Sequence, residues 1–316
     1  MYIVSFKTPV IELEKTDYDI DTLSKEINTS PYDILHKPNW FKIGDEWYYF
    51  KAMDKLERFI NEILGSFLAE SNGIPTAKFK VASYFNGRYT SYGLISKNFK
   101  LQGKTYTTTY DLKLPVYDQG LSNIVTAREY FKEEKDYYNF ITSLLISTAI
   151  DFYMNQIDRV NENLLFIKDK NSLSLAPMFD YSLSMDIGRK SVCAKFDDIA
   201  RLYTFYYKEN ERKKEQKFGS AFLNITFPSR EARKLFYDYP KFYETFKRLI
   251  DFDMESFLNM VEDNYPIAIP KYLKEHYLGY SKEKQAFIKK MIWQIHIFVL
   301  VYVVPRGVKG EKLWNI

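Results

Sequence analysis

Asn155-Gln156-Ile157-Asp158-Arg159-Val160-Asn161-Glu162-Asn163-Leu164-Leu165-Phe166-Ile167 opens the stretch that decides how this chain reads, and Ala176-Pro177-Met178-Phe179-Asp180-Tyr181-Ser182 closes it. Upstream, Tyr137, Phe140, Ile141, Leu144, Leu145 and Thr148 fall on one face at helical spacing, so a helix runs into the polar loop. Leu164 to Ile167 reads as a short strand, Lys168-Asp169-Lys170-Asn171 as a turn, and Ser172 to Leu175 as the returning strand. The layout is therefore helix, polar loop with an Asp and an Asn five apart, hairpin, and a second Asp.

Phosphoryl transfer needs these residue types in this order. One carboxylate orients the attacking hydroxyl and accepts its proton, while an amide oxygen and a second carboxylate hold magnesium on the phosphates. Magnesium takes hard oxygen ligands and keeps several waters, so one Asn and one Asp suffice as protein ligands. Asn163 and Asp180 are 17 residues apart, and the hairpin between them brings the second back beside the first. Taken singly, an Asp or Asn in a polar loop is an ordinary turn former; the joint pattern carries the reading.

The first third of the chain reads differently. Glu46-Trp47-Tyr48-Tyr49-Phe50-Lys51 is a short aromatic strand. A helix follows, with Leu56, Phe59, Ile60, Ile63, Leu64, Phe67 and Leu68 on its apolar stripe, Gly73 as its stop and Pro75 just beyond. Glu62 falls off that stripe beside Gly65, Ser66 and Ala69, small residues that allow a second buried face, with Glu70 as the alternative acidic position. Lys78 to Tyr84 and Ser91 to Ile95 flank Asn86-Gly87, a hairpin signal. Leu101 to Ser122 reads as a connector, and helices are expected at about 194–208, 229–249, 253–262 and 282–299. Sheet first and helices second make an α+β protein in two lobes, an N-lobe over 1–99 and a C-lobe over 100–316.

Composition excludes several classes. Hydrophobic residues make up 46% of the 316 and aromatics 18%, so the chain buries a large core and is not disordered. A net charge of +4 suits an anionic ligand but brings no basic stripe, so nucleic acid is not an expected partner. A single cysteine, Cys193, rules out an internal disulfide and makes a thiolate zinc site a poor reading. His36, His276 and His296 are too scattered for a metal cluster. Met1 to Lys7 has neither the basic region nor the apolar run of a signal peptide, so the expected setting is cytoplasmic, with leaderless secretion left open. Ile292 to Val304 is apolar but carries Gln294 and His296 and is shorter than the ~20 residues of a spanning helix, so no membrane span is expected. The charged run Lys208 to Lys217 reads as a solvated helix end or loop.

The motif residues resemble the HipA-like serine/threonine kinases, particularly the small single-module ones. Asp158-Arg159 and Asn163 are similar to that family's D-R-H-x-x-N loop, and Ala176-Pro177 with Asp180 to its A-P-x-x-D segment. Tyr48-Tyr49-Phe50-Lys51 is similar to its phosphate-binding Lys strand, and Asn61-Glu62 to the N-E of the helix that supplies the ion-pair Glu. Ser30-Pro31-Tyr32-Asp33 resembles a phosphate-loop element, although without the glycines that usually cradle phosphates. The resemblance covers about residues 28 to 290, and Val160 departs from it where the family carries His.

The resemblance implies a bilobal protein-kinase-like fold and an ATP- and Mg²⁺-dependent serine/threonine protein kinase that phosphorylates itself. It implies Asp158 as the catalytic residue, Asn163 and Asp180 as metal ligands, and Lys51, Glu62 and Ser30 on the nucleotide side. Chain order places adenine against Leu94-Ile95-Ser96, just after the last N-lobe strand. A Lys lining a cleft contributes little to folding, so Lys51→Met is expected to leave stability within ~1 kcal/mol. The implied partners are a protein with a Ser or Thr acceptor and, since the family includes toxin–antitoxin kinases, an antitoxin-like protein. Two alternatives stand beside this reading: a small-molecule kinase on the same fold, and a pseudokinase that binds nucleotide or a partner without turnover.

Overall fold

The computed structural model describes residues 10–37, 39–108, 111–112, 127–156, 163–186, 216–219, 224–227 and 230–302. Asp158, Cys193, the helix expected at about 194–208 and nearly all of the charged run 208–217 lie outside the described residues.

A curled five-stranded sheet forms the N-terminal part. Its strands are β1 (Ile11–Leu13), β2 (Trp40–Ile43), β3 (Glu46–Ala52), β4 (Phe79–Phe85) and β5 (Thr90–Lys97), in the order β1-β4-β5-β3-β2. β1 runs parallel to β4, and the other pairs are antiparallel. Side chains alternate across a strand, so Phe50 joins Phe41, Ile95, Ala82 and Leu13 in a cluster on one face, and Lys51 faces the opposite way beside Leu94 of β5. The β4–β5 turn is looser than a two-residue hairpin. Asn86 to Tyr89 form it, with the Asn86 amide oxygen accepting from the backbone N–H of Arg88 and Tyr89.

Between β1 and β2 the chain forms α1 (Ile20–Ile27) and α2 (Pro31–His36), for which the sequence reading assigned no helices. Side-chain capping starts both, at Asp19 and Ser30, and Leu23, Ile27 and Ile34 pack beneath them against Trp40 and Trp47.

α3 (Leu56–Ser71) links the sheet to the rest of the molecule. It is buried on two faces, with Phe59, Ile60, Ile63 and Leu64 on the apolar stripe and Asn61, Glu62, Gly65, Ser66 and Ala69 also enclosed. It ends through Gly73, whose φ of 75° is open to glycine and costly for other residues, and Ile74 donates back to the Ala69 carbonyl.

The C-terminal part is mostly helical. β6 (Thr105–Thr108), β7 (Leu165–Asp169) and β8 (Ser172–Leu175) form a small antiparallel sheet, and β9 (Gln216–Gly219) pairs with β10 (Asn224–Phe227). The supposed connector therefore contains a strand: Thr105-Tyr106-Thr107-Thr108 is β-prone and finds β7 as its partner. α4 (Glu134–Met154) is enclosed from Phe140 onward apart from the half-buried Ser143 and packs on β8 and α3. α5 (Arg230–Asp238), α6 (Pro240–Ile250), α7 (Met254–Asn264) and α8 (Lys271–Tyr302) complete it. The single helix expected at about 229–249 is two helices because Pro240 lacks an N–H and starts a new helix after Tyr239. The helix expected at about 282 begins at Lys271 and passes through Gly279. Among the described residues, no helix is long and apolar enough to cross a membrane.

One apolar core runs from α3 through α4 to α8 and takes in Phe152, Phe242, Phe246, Phe257 and Tyr181. Each such buried aromatic contributes on the order of 2–3 kcal/mol relative to exposure. Within it Gly65 of α3 lies against the Tyr181 ring, where an added Cβ would lie 2.1 Å from a ring carbon. Gly65→Ala gains about 1 kcal/mol of helix propensity. The overpacking costs about 2–3 kcal/mol, so the variant is expected to be destabilised by about 1–2 kcal/mol in a urea melt, against the direction propensity alone dictates.

Candidate functional site

Lys51 leaves β3 on the face that carries Tyr49, Leu94 and Ser96. Its ammonium donates to Glu62 Oε1 at 3.2 Å and to Ser182 Oγ at 3.0 Å, and pairs closely with Asp180 Oδ1. Glu62 is 1% exposed and comes from the middle of α3. Besides the ammonium it accepts from two backbone N–H groups, that of Asp180 at 3.1 Å and that of Tyr181. Glu70, the alternative acidic position, is exposed and pairs with Lys78 instead.

Asp180 follows β8 and sits in the left-handed region with φ 63°. Several contacts hold the segment that leads into it. Met178 N–H donates to the Pro75 carbonyl at 2.7 Å, Ala77 N–H donates to the Met178 carbonyl at 3.0 Å, and Gln156 Nε2 donates to the Asp180 carbonyl. The turn after α3 thus pins the Asp180 segment from one side and the end of α4 pins it from the other. Helix α4 itself stops at Asn155, in left-handed conformation, with Gln156 N–H returning to the Asp151 carbonyl at 2.8 Å.

Asn163 is buried at the foot of β7. The β7–β8 register pairs Phe166 with Leu175, and Ala176 N–H bonds to the Leu165 carbonyl. Carried two places further, that register sets Asn163 level with Met178, two residues before Asp180.

Burial pushes the Glu62 carboxyl up, the Lys51 ammonium opposes this and Asp180 reinforces it; the net direction is above the ordinary value. Burial pushes Lys51 down, but the two carboxylates outweigh it and its net direction is up. The Tyr49 hydroxyl is also raised, by burial first, and it lies within electrostatic reach of both Lys51 and Asp180. With both carboxyls ionised, one ammonium against two carboxylates leaves a net negative charge. A divalent cation would offset it, and the oxygen donors of Asp180 and Asn163 are of the kind magnesium takes.

Other sequence-designated residues lie elsewhere. Ser30 caps α2, donating to Asp33 Oδ2 at 2.8 Å and accepting from Asp33 N–H, and none of these bonds reaches the Lys51 cluster. Leu94, Ile95 and Ser96 lie inside β5, which continues to Lys97 and is laddered to β3 on one side and β4 on the other. The expectation that they follow the last strand is corrected: their backbone groups serve the sheet, and Ile95 faces the outer cluster, away from Lys51. The segment that does leave the sheet is Asn98-Phe99-Lys100, where the Phe99 ring lies 5.6 Å from that of Phe179. Sequence reasoning passed over Ser182, Gln156, Tyr49 and the Phe99–Phe179 pair. The only signal in the sequence was the nearness of Ser182 and Phe179 to Asp180.

Comparison with solved structures gives the class of fold, a kinase-like one. The Helicobacter pylori proinflammatory kinase CtkA matches with a TM-score of 0.55 and 17% identity, over 84% of this chain and 94% of that one. HipA of the Shewanella oneidensis MR-1 toxin–antitoxin system, solved with HipB and operator DNA, matches with a TM-score of 0.49 and 12% identity, over 86% of this chain and 65% of that one. No protein-family model matches the chain, and no curated protein matches it in sequence.

The geometry corrects the expectation that Lys51 is dispensable for stability. Its side chain is 29% exposed, and removing it strands the buried Glu62 without a counter-ion. Lys51→Met is expected to cost about 2–3 kcal/mol at neutral pH, moderated because Glu62 keeps two backbone donors. Without the ammonium, Glu62 rises further. A carboxyl raised on folding contributes stability below its ordinary value of 4.5 and loses it as pH rises through the raised value. The deficit relative to the parent should therefore widen as pH rises from the acid side toward neutrality, and adding Glu62→Gln should flatten it. Urea melts across that range check both.

Proposed function

We propose that this protein is an ATP- and magnesium-dependent serine/threonine protein kinase of the HipA-like kind that phosphorylates itself. The observation that carries the reading is the meeting of Lys51, Glu62 and Asp180, drawn from β3, α3 and the segment after β8. Phosphoryl transfer is catalysed chiefly by positioning and charge stabilisation, and this cluster supplies both at the junction of sheet and helices.

In this reading the Lys51 ammonium holds the α- and β-phosphates as a point charge, and Glu62 fixes where that charge sits. Asp180 and Asn163 would hold magnesium, which when bound would neutralise charge on the transferring phosphoryl group. Ser182 steadies both Lys51 and Asp180, to whose Oδ1 its hydroxyl donates at 3.1 Å. Asp158, from the loop after α4, orients the acceptor hydroxyl and takes its proton. Adenine lies against the Lys51 side of β5 at Ser96, with the Phe99–Phe179 rings at its edge; Leu94, fully enclosed in the core, is not open to it. The acceptor is a Ser or Thr of this chain or of a partner protein, and an antitoxin-like partner is carried over from the resemblance alone.

Two observations favour a second reading, nucleotide binding without turnover. Lys51 pairs directly with Asp180, the residue that would have to hold the metal, and Val160 stands where the family carries His. Incubation with labelled ATP and magnesium alone separates the readings. Label on the protein supports the kinase, inorganic phosphate alone supports a small-molecule kinase lacking its acceptor, and binding without transfer supports the pseudokinase.

Asp158→Asn is expected to keep the fold and ATP binding while lowering transfer by about 10²-fold or more, as loss of a proton acceptor does; near-parental turnover would remove Asp158 from the role. Asp180→Ala is expected to abolish the magnesium dependence of nucleotide binding, measured by calorimetry with and without the ion, since a formal charge leaves the ion's shell.

A further inference from the structure

The segment that carries Asp180 has little regular structure of its own. Asp180 and Met185 both take left-handed backbone, with φ 63° and 59°, and the residues between them are not in a strand. Two adjacent residues of α3 hold it by opposite polarities. Glu62 accepts from the N–H groups of Asp180 and Tyr181. Asn61, 1% exposed, donates through Nδ2 to the Ser184 carbonyl at 2.7 Å and, more weakly, to that of Ser182 at 3.4 Å.

An amide can serve carbonyls only in one of its two orientations, because the flipped form would turn an oxygen toward them. The two carbonyls thus select the orientation, and Tyr277 of α8 anchors the amide in it. Its hydroxyl, fully enclosed, donates to Asn61 Oδ1 at 2.8 Å and also lies 3.2 Å from the Glu57 carbonyl. Tyr277 is 216 residues from Asn61 in sequence, and no bond of its hydroxyl reaches Lys51, Glu62 or Asp180.

We propose that Tyr277 is a positioning residue: its hydroxyl fixes the Asn61 amide, which holds the Ser182–Ser184 carbonyls and so sets Asp180 and Ser182 against Lys51. The C-terminal helix thereby tunes the geometry of the metal segment. The proposal deepens the kinase reading and rests on it for its catalytic consequence, though not for its structural one.

Tyr277→Phe removes one oxygen and keeps the ring. Its control is Tyr280→Phe, also on α8, whose buried hydroxyl donates to the Tyr153 carbonyl at 2.7 Å, away from α3. Both variants should lose melting temperature. Only Tyr277→Phe should raise the magnesium concentration for half-maximal transfer, by about fivefold, the factor one buried hydrogen bond represents. Only it should speed hydrogen exchange at the amides of Asp180 and Tyr181. Asn61→Asp, of the same shape but without N–H groups for the carbonyls, should reproduce both effects. Parental magnesium dependence and exchange in Tyr277→Phe would overturn the proposal, as would equal changes in Tyr280→Phe. Should the parent itself transfer no phosphate, the kinase reading fails, and the exchange comparison alone decides: faster exchange in Tyr277→Phe supports positioning, and unchanged exchange overturns it.

Discussion

A carboxylate enclosed in a protein has to be met by hydrogen bonds and a counter-ion or be protonated, and Glu62 is the group on which this molecule imposes that demand. Three donors answer it: the Lys51 ammonium from the sheet and two backbone N–H groups from the segment after β8. Satisfying one side chain therefore ties β3, α3 and the Asp180 segment together. The same contacts assemble the charged groups of the candidate site, so the energetics of folding and the geometry of the site are set by one arrangement.

The apolar packing around that arrangement makes it rigid. α3 is enclosed on two faces, and its polar residues point where the sheet and the Asp180 segment approach. Gly65 lets the Tyr181 ring lie directly on the helix, next to the carboxylate that accepts from the Tyr181 N–H. A larger residue at 65 would push the ring, and with it the backbone donor, off Glu62. Aromatic rings dominate the remaining core. The buried tyrosines of α8 use their hydroxyls to bond α3 and α4, so each contributes apolar area and a directional bond at once.

Charge balance gives the cluster its chemical character. One ammonium serves two carboxylates, one enclosed and one partly exposed. The enclosed Glu62 is closed to solvent, whereas Asp180 keeps 25% of its side chain exposed. Identical charges thus sit in different environments according to burial.

Local pattern made the elements legible. The spacing of Phe59, Ile60, Ile63 and Leu64 specified α3 and that of Phe140, Ile141, Leu144 and Leu145 specified α4, because side-chain periodicity follows from backbone geometry alone, while the short aromatic run 46–51 specified β3. Gly65, Ser66 and Ala69 beside Glu62 already marked a second buried face on α3. Short, mixed segments were not legible: α1 and α2 depend on caps and on Trp40 and Trp47 beneath them, and β6 depends on β7 for its partner. Pro240 was a local signal for a helix break that the apolar pattern around it concealed. By itself the sequence determined which faces are apolar, where helices stop, and that an Asp-x4-Asn loop, a hairpin and a further Asp follow in order. Tertiary structure decided that Lys51 meets Glu62 and not Glu70, that Asp180 comes to Lys51 from 129 residues away, that Leu94 to Ser96 are spent in the sheet, and that a tyrosine of the last helix anchors Asn61. The physical reason is that periodicity encodes the side an element buries, while what lies opposite that side is settled only when the elements pack.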